Sequence, residues 1–392
     1  MDYSLADRVS RIKPSATLAI TARANQIRAE GGNILSLAAG EPDFDTPEHI
    51  KEAAIAAMRA GKTKYTAVAG TASLKDAVIG KFRRDNRLEY TANEVMVSTG
   101  AKQVLYNLCQ ALLNDGDEVL IPAPYWVSYP DIVLLAGGKP VIIAGRAENR
   151  SKITAEDLER SITDKTRLLV LNSPSNPTGI AYTRDELGAL GGVLERHPQV
   201  FVISDDIYEH IMFRGQEFSN ILNATPSLAD RTLVLNGVSK VYSMTGWRIG
   251  YVGGPEAVIK SMTKIQSQST SNPSSISQAA AEAALTGDQG FVATMRDAFE
   301  ERHNFIVGAL NEIDGIHCPL SDGTFYCFPN IDGLIERTQD VTDDVGFVEH
   351  LLNQAGLAMV PGTAFGSPGY MRISYATSME VLKEAATRLK GI

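Results

Sequence analysis

Cysteine is scarce in this chain of 392 residues: only Cys109, Cys318 and Cys327 occur. An odd number without Cys-x-x-Cys spacing supports neither a disulfide framework nor a structural zinc site, and a reducing, cytoplasmic compartment is expected. No segment reaches the ~20 uninterrupted apolar residues of a membrane span, and Met1 to Arg8 hold no apolar run of signal-peptide length. Positive charge is the minority, with 37 Lys and Arg against 46 Asp and Glu for a net charge of −9. No basic block of the length used for polyanions appears, so neither nucleic acid nor membrane is an expected partner. Gly-x-Gly-x-x-Gly is absent, which removes the nicotinamide and flavin fingerprint. Gly61-Lys62-Thr63 looks like the end of a P-loop, but Ala56 stands where its first glycine belongs and a helix pattern precedes it. The six histidines include no His-Glu-x-x-His and no other close ligand pair, so no catalytic metal is expected. Repeats, low-complexity tracts and Pro-rich linkers are missing as well, and no disordered region is expected.

What is present is an alternation of short aliphatic runs with longer helix-patterned stretches. Val119-Leu120-Ile121, Leu168-Leu169-Val170-Leu171, Val200-Phe201-Val202-Ile203 and Leu233-Val234-Leu235 are continuous apolar strands, the pattern of a parallel sheet covered by helices on both faces. The length exceeds what one simple core usually supports, so a large α/β domain over residues 46–296 and a smaller one are expected. The smaller one joins residues 1–45 to residues 297–392, where strand-like Thr324 to Phe328 and Met371 to Tyr375 follow a charged helical stretch around Met295 to Arg302.

Several separated segments carry groups that suit one cofactor. Lys240 lies eight residues before Arg248 among small residues, an arrangement suited to an imine with an aldehyde cofactor and to a grip on its phosphate. The cofactor so indicated is pyridoxal phosphate. Ser98-Thr99-Gly100-Ala101-Lys102 joins a strand to a helix pattern, where free backbone N–H groups form an anion site; taken alone, such a turn is more often mere capping. Asn172 to Gly179 follows a buried strand and so lies at the carboxyl edge of the sheet, where Asn176 can donate its amide to a phenolate oxygen. After the next strand, Asp205 can pair with a pyridinium nitrogen and Tyr208 with the ring oxygen. Trp126 can stack on a flat ring, and Arg372 can grip a carboxylate with two parallel hydrogen bonds. Each of these also has an ordinary structural reading, as a turn, a helix cap, a core aromatic or a surface charge.

With these segments in view, the chain resembles the class I aminotransferases of pyridoxal-phosphate fold type I, and more narrowly the bacterial aspartate aminotransferases of the Iβ subgroup. The likeness runs essentially end to end. It is carried by Lys13 to Thr17, Ala39 to Pro47, Thr63-Lys64-Tyr65, Tyr125 to Pro130, Asn172 to Gly179, Ser204 to His210, Ser239 to Tyr251 and Arg372 to Ser378. It implies a mostly parallel seven-stranded sheet between helices in the large domain, with a smaller α+β domain from both chain ends. Lys240 would form the imine with the cofactor and move the proton between the substrate Cα and the cofactor carbon C4′. Asp205 would hold the pyridinium, Tyr208 and Asn176 the ring oxygen, and Trp126 the ring face. The phosphate would fall to Arg248, Ala101, Lys102 and Ser239, with Tyr65 reaching the site of the neighbouring subunit of a homodimer. Gly40, Trp126, Asn176 and Arg372 match the positions that bind the amino acid. Lys102, assisted by Ser15 and Thr17, would meet a second carboxylate, and the Thr17 and Lys102 pair also looks like members that accept prephenate. The chain departs from the pattern of other subgroups at Gly237, where those carry a phosphate-binding serine.

The resemblance implies reversible ping-pong transfer of an amino group between aspartate and 2-oxoglutarate, with prephenate or an aromatic amino acid as the alternative substrate. The same cofactor site can also support β-elimination or decarboxylation. A ligand-sensing regulator built on this fold is not expected, because no N-terminal segment is spare for a DNA-binding module.

Overall fold

The computed structural model describes residues 4–392, so the first three residues of the expected 1–45 segment lie outside it. The first strand, β1 (Leu35–Ser36), belongs to a small peripheral pair described below. The main sheet is built from β2 (Val95–Ser98), β3 (Glu118–Ala123), β4 (Lys139–Ala144), β5 (Thr166–Asn172), β6 (Phe201–Asp205), β7 (Thr232–Gly237) and β8 (Gly250–Gly253). Its seven strands run in the order β2-β8-β7-β6-β5-β3-β4. All neighbours are parallel except around β8, which is antiparallel to both β2 and β7.

The apolar runs of these strands are continuous because both faces of the sheet are covered. Alternate residues of β5 show this. Leu169 and Leu171 enter one core with Leu74, Leu187, Leu190 and Ala280 from the helices on that side. Leu168 and Val170 enter another, with Leu105, Leu108, Ile132 and Ile259 from helices on the opposite side. A side-chain period of two along each strand divides the helices into two layers.

A third core unites the two ends of the chain, including Leu37, Phe299, Phe325, Tyr326, Ile373 and Leu389. Here β1 pairs in parallel with β10 (Leu357–Ala358), while β11 (Val360–Pro361), β12 (Met371–Ser374) and β9 (Tyr326–Cys327) form an antiparallel set. The strand expected over residues 324–328 is shortened to Tyr326 and Cys327. Thr324 takes a left-handed φ of 68° and its hydroxyl accepts the Tyr326 N–H at 3.2 Å, which turns the backbone out of the extended state. The 22-residue helix Gly290–Asn311 runs without a break past residue 296, where the boundary between domains was expected.

Beneath the main sheet edge lies a buried ion pair, Lys81 with Glu209, whose carboxylate also accepts from Asn86 and, at 2.9 Å, from Asn236. Asp206, next along, is pushed up to about 8 by burial and by the Glu209 charge. The Asp85 carboxylate closes the cluster, 3.3 Å from the His210 ring Nε2. Its carboxylates are thus already engaged by protein donors, which is how charges out of contact with water are tolerated. Among the described residues no helix is long and apolar enough to cross a membrane.

Candidate active site

In parallel strands, loops that leave the carboxyl ends share one edge, and this edge holds a cavity of about 470 Å³. β5 ends at Asn172 and leads to Asn176; β6 ends at Asp205 and leads to Tyr208; β7 ends at Gly237 and leads to Ser239 and Lys240. β3 delivers Trp126 and Tyr129 to the same edge, and β2 delivers Ala101 and Lys102. Because β8 runs the other way, its beginning lies here, and Arg248 arrives just before Gly250. Ser15, Thr17, Gly40, Glu41, Tyr326 and Arg372 also line the wall.

The structure therefore brings together every residue singled out from the sequence except Tyr65. That side chain is 92% exposed and outside the lining of the cavity. Gly237 is packed tightly: an added Cβ would stand 3.0 Å from the Ile249 carbonyl and 3.1 Å from Ile207 Cδ1. A serine there would require neighbours to shift.

Lys240 is half-buried in the cavity wall, and its amine donates to the Gly40 carbonyl. Burial, and then the Arg372 charge, push it down to about 8, against the opposing pull of Glu41 and Asp205. Asp205 accepts the Tyr129 hydroxyl at 2.6 Å on Oδ2 and the Ile207 N–H at 3.3 Å on Oδ1. Burial nevertheless pushes its carboxyl up to about 6. A cation placed against it would stabilise the ionised form.

Arg372 is buried on β12 and remains directed by two bonds, from Nη1 to Asn176 Oδ1 at 2.9 Å and from Nη2 to the Ala38 carbonyl at 2.8 Å. Among the described residues its Nε has no partner. The bond to Arg372 also fixes the Asn176 amide, because Oδ1 is the acceptor and Nδ2 is left as a donor. Lys102 is less enclosed and stands 4.9 Å from the Trp126 ring centroid; burial and the Arg248 charge lower its pKa.

Lys102 belongs to the first turn of the helix Ala101–Leu112, whose N-cap is Gly100 with φ 86° and no side-chain cap. The cap residue itself offers no side chain, although Gln103 Oε1 accepts the Thr99 N–H at 2.6 Å just ahead of it. A Cβ on Gly100 would collide with the Arg248 guanidinium, and one on Gly250 with the Ala101 backbone. This close approach sets Arg248, whose Nη1 bonds the Thr245 carbonyl at 2.8 Å, beside a helix start with free N–H groups. The combination of an anion cradle, a buried carboxyl, a flat indole and a buried amine fits pyridoxal phosphate, and the orphaned Nε of Arg372 fits a carboxylate ligand beside it.

Tyr129 and Tyr326 escaped the sequence reading. Tyr129 follows Trp126 by three residues, the spacing that puts both on one side of a turn, and the rings meet edge to face at 5.4 Å. That spacing was a usable signal. Tyr326 had none, since its place in the cavity depends on pairing with Ser374 across β9 and β12.

Residues 32–389 match the family model described as aminotransferase class I and II. The aspartate/prephenate aminotransferase of Nitrosomonas europaea is 57% identical over 393 residues, 99% of this chain and 99% of that protein. The aspartate aminotransferase of Bacillus subtilis is 49% identical over 388 residues, 98% of either chain. Among solved structures, the aspartate aminotransferase from Rhizobium meliloti has a TM-score of 0.96 at 49% identity, covering 100% of this chain and 98% of that one. Fold, cavity chemistry and end-to-end likeness converge: the chain belongs to the class I and II aminotransferases, enzymes that depend on pyridoxal phosphate.

Proposed function

We propose that this aminotransferase moves the amino group of aspartate to 2-oxoglutarate, giving oxaloacetate and glutamate in two half-reactions. The observation that carries this reading is the pairing, in one cavity with Lys240, of two further cations of different setting, the buried Arg372 and the more open Lys102. Pyridoxal phosphate supplies an aldehyde carbon that captures amines reversibly and a ring that accepts electron density. Arg248, Ser239 and the first N–H groups of the helix Ala101–Leu112 hold its phosphate, and Trp126 packs on its ring. Asp205 holds the ring nitrogen, kept in place by the Tyr129 hydroxyl. Tyr208 and Asn176 Nδ2 donate to the ring oxygen. Arg372, directed by Asn176 and Ala38, orients the substrate α-carboxylate beside Gly40. Lys240 takes the proton from the substrate Cα and returns it one position away; a buried amine near 8 is suited to both halves of that task.

Lys102, with Ser15 and Thr17, meets the second carboxylate. Lys102→Met should therefore raise KM for aspartate by about tenfold or more while leaving KM for an aromatic amino acid nearly unchanged. Equal effects on both would remove Lys102 from this role. Prephenate as a second acceptor is favoured by the wall of the cavity formed by Thr17, Leu18 and Thr21, and by the name of the 57% identical relative.

Exposed Tyr65 reaches the cofactor phosphate of a second copy, so the working unit is a homodimer with shared sites. The division into residues 46–296 and the remainder, and a cytoplasmic location, complete the proposal. The first test is the visible spectrum of the purified protein. The cofactor band should shift on adding aspartate and return on adding 2-oxoglutarate. A shift with an aromatic amino acid alone would change the substrate, and no band after supplying pyridoxal phosphate would overturn the role of Lys240.

A further inference from the structure

Tyr326 occupies a place between the two parts of the site. Its hydroxyl lies 3.2 Å from the Tyr208 hydroxyl, and the two rings meet nearly at right angles, 81°, with centroids 5.9 Å apart. Both side chains are buried. Its ring also faces the Arg372 guanidinium, 4.5 Å from the ring centroid. An added Cβ on Gly40 would touch its hydroxyl at 3.4 Å, so the tyrosine also abuts the segment that receives the Lys240 amine.

Two hydroxyls that share one hydrogen bond use one of their two protons. Among the described residues neither hydroxyl has a further protein partner, so one proton of the pair remains available to a ligand in the cavity. If Tyr208 donates to the ring oxygen of the cofactor, its own oxygen must be the acceptor in the pair, and Tyr326 the donor. A hydroxyl that accepts in this way becomes a stronger donor in turn.

We infer that Tyr326 is a positioning residue with two separable roles: its hydroxyl directs and strengthens the Tyr208 bond to the cofactor, and its ring holds Arg372 in line for the substrate carboxylate. This rests on the proposed roles of Tyr208 and Arg372. Neither role requires Tyr326 to exchange a proton with the substrate.

The test uses the cofactor-loaded enzyme and separates the roles. A donor to the ring oxygen favours the more negative form of the bound cofactor, so weakening it raises the pH midpoint of the visible band. Tyr326→Phe keeps the ring and loses the hydroxyl; it should raise that midpoint by about half a pH unit or more. Tyr326→Leu also loses the ring, and should raise KM for aspartate about threefold to thirtyfold beyond its value in Tyr326→Phe. Tyr208→Phe is the control for the underlying assignment. If it moves the midpoint and Tyr326→Phe does not, the relay is wrong while Tyr208 keeps its role. If neither moves it, the role of Tyr208 falls as well. Equal KM values in the Phe and Leu variants would overturn the second role. Far-UV circular dichroism of each variant, matched to the parent, excludes misfolding as the source of either change.

Discussion

At the scale of single residues, Lys240 is the most consequential, because its environment disfavours its own charge. Only the neutral amine has a lone pair to offer an aldehyde, and lowering the pKa to about 8 makes that form available at milder pH. Protein stripped of cofactor should therefore capture pyridoxal phosphate at a rate that rises with pH, is half-maximal near 8 and levels off about one unit above that. An ordinary lysine would continue to gain until about 10.4. Stopped-flow absorbance decides between the two, and a rate still rising steeply above pH 9 would place the amine in water. Asp205 makes the opposite demand, since burial holds its carboxyl up to about 6 until a cation faces it. Asp205→Asn should bind cofactor yet lower kcat by at least about a hundredfold, about 2.7 kcal/mol of transition-state stabilisation. A loss below about tenfold, about 1.4 kcal/mol, would argue that Asp205 is not the partner of the ring nitrogen.

Elements show why some of this was legible beforehand and some was not. The parallel strands announce themselves as continuous aliphatic runs, and a loop that follows such a run must lie at the carboxyl edge; that rule places Asn176 and Asp205, whereas Lys240 stands out by its spacing from Arg248. The direction of β8 carries no such signal, because Gly250 to Gly253 is too short and too rich in glycine to reveal which way it pairs. Only the register with β2 and β7 shows how Arg248 comes to the phosphate side. Tyr326 was illegible for a related reason, since its position is set by a partner strand nearly fifty residues later. Gly100 is where turn and helix meet, and its φ of 86° is costly for any other residue. Gly100→Ala should weaken pyridoxal phosphate binding by at least about tenfold, through about 1–3 kcal/mol of backbone strain and displacement of Arg248. Equilibrium dialysis against the free cofactor measures it; unchanged affinity would mean that the guanidinium relaxes freely.

For the molecule as a whole, the site is assembled from distant parts. Two cores flank the sheet, and a third joins both ends of the chain, while Lys240 and Arg372 reach the cavity from opposite sides of that division. A second copy would enter where Tyr65 now faces outward. Sedimentation equilibrium should return about twice the chain mass, and turnover should fall on dilution into the monomer range. A monomer retaining full turnover would rule out shared sites.

The segment from Ala38 to Thr46 acts as a strap across these parts. The Ala38 carbonyl accepts from Arg372, Gly40 from Lys240, Glu41 from Thr245 at 2.8 Å, and Asp43 from Arg302 at 2.7 Å. The Thr46 hydroxyl donates to the Ser243 carbonyl at 2.7 Å and accepts the Trp247 N–H at 3.1 Å. During synthesis the partners of the strap are made 197 to 334 residues after it. A nascent chain can complete the main sheet by residue 253 and still lack the closing stitch at Arg372. Closure of the catalytic chamber is thereby deferred until Arg372 has been made, well after the main sheet can form.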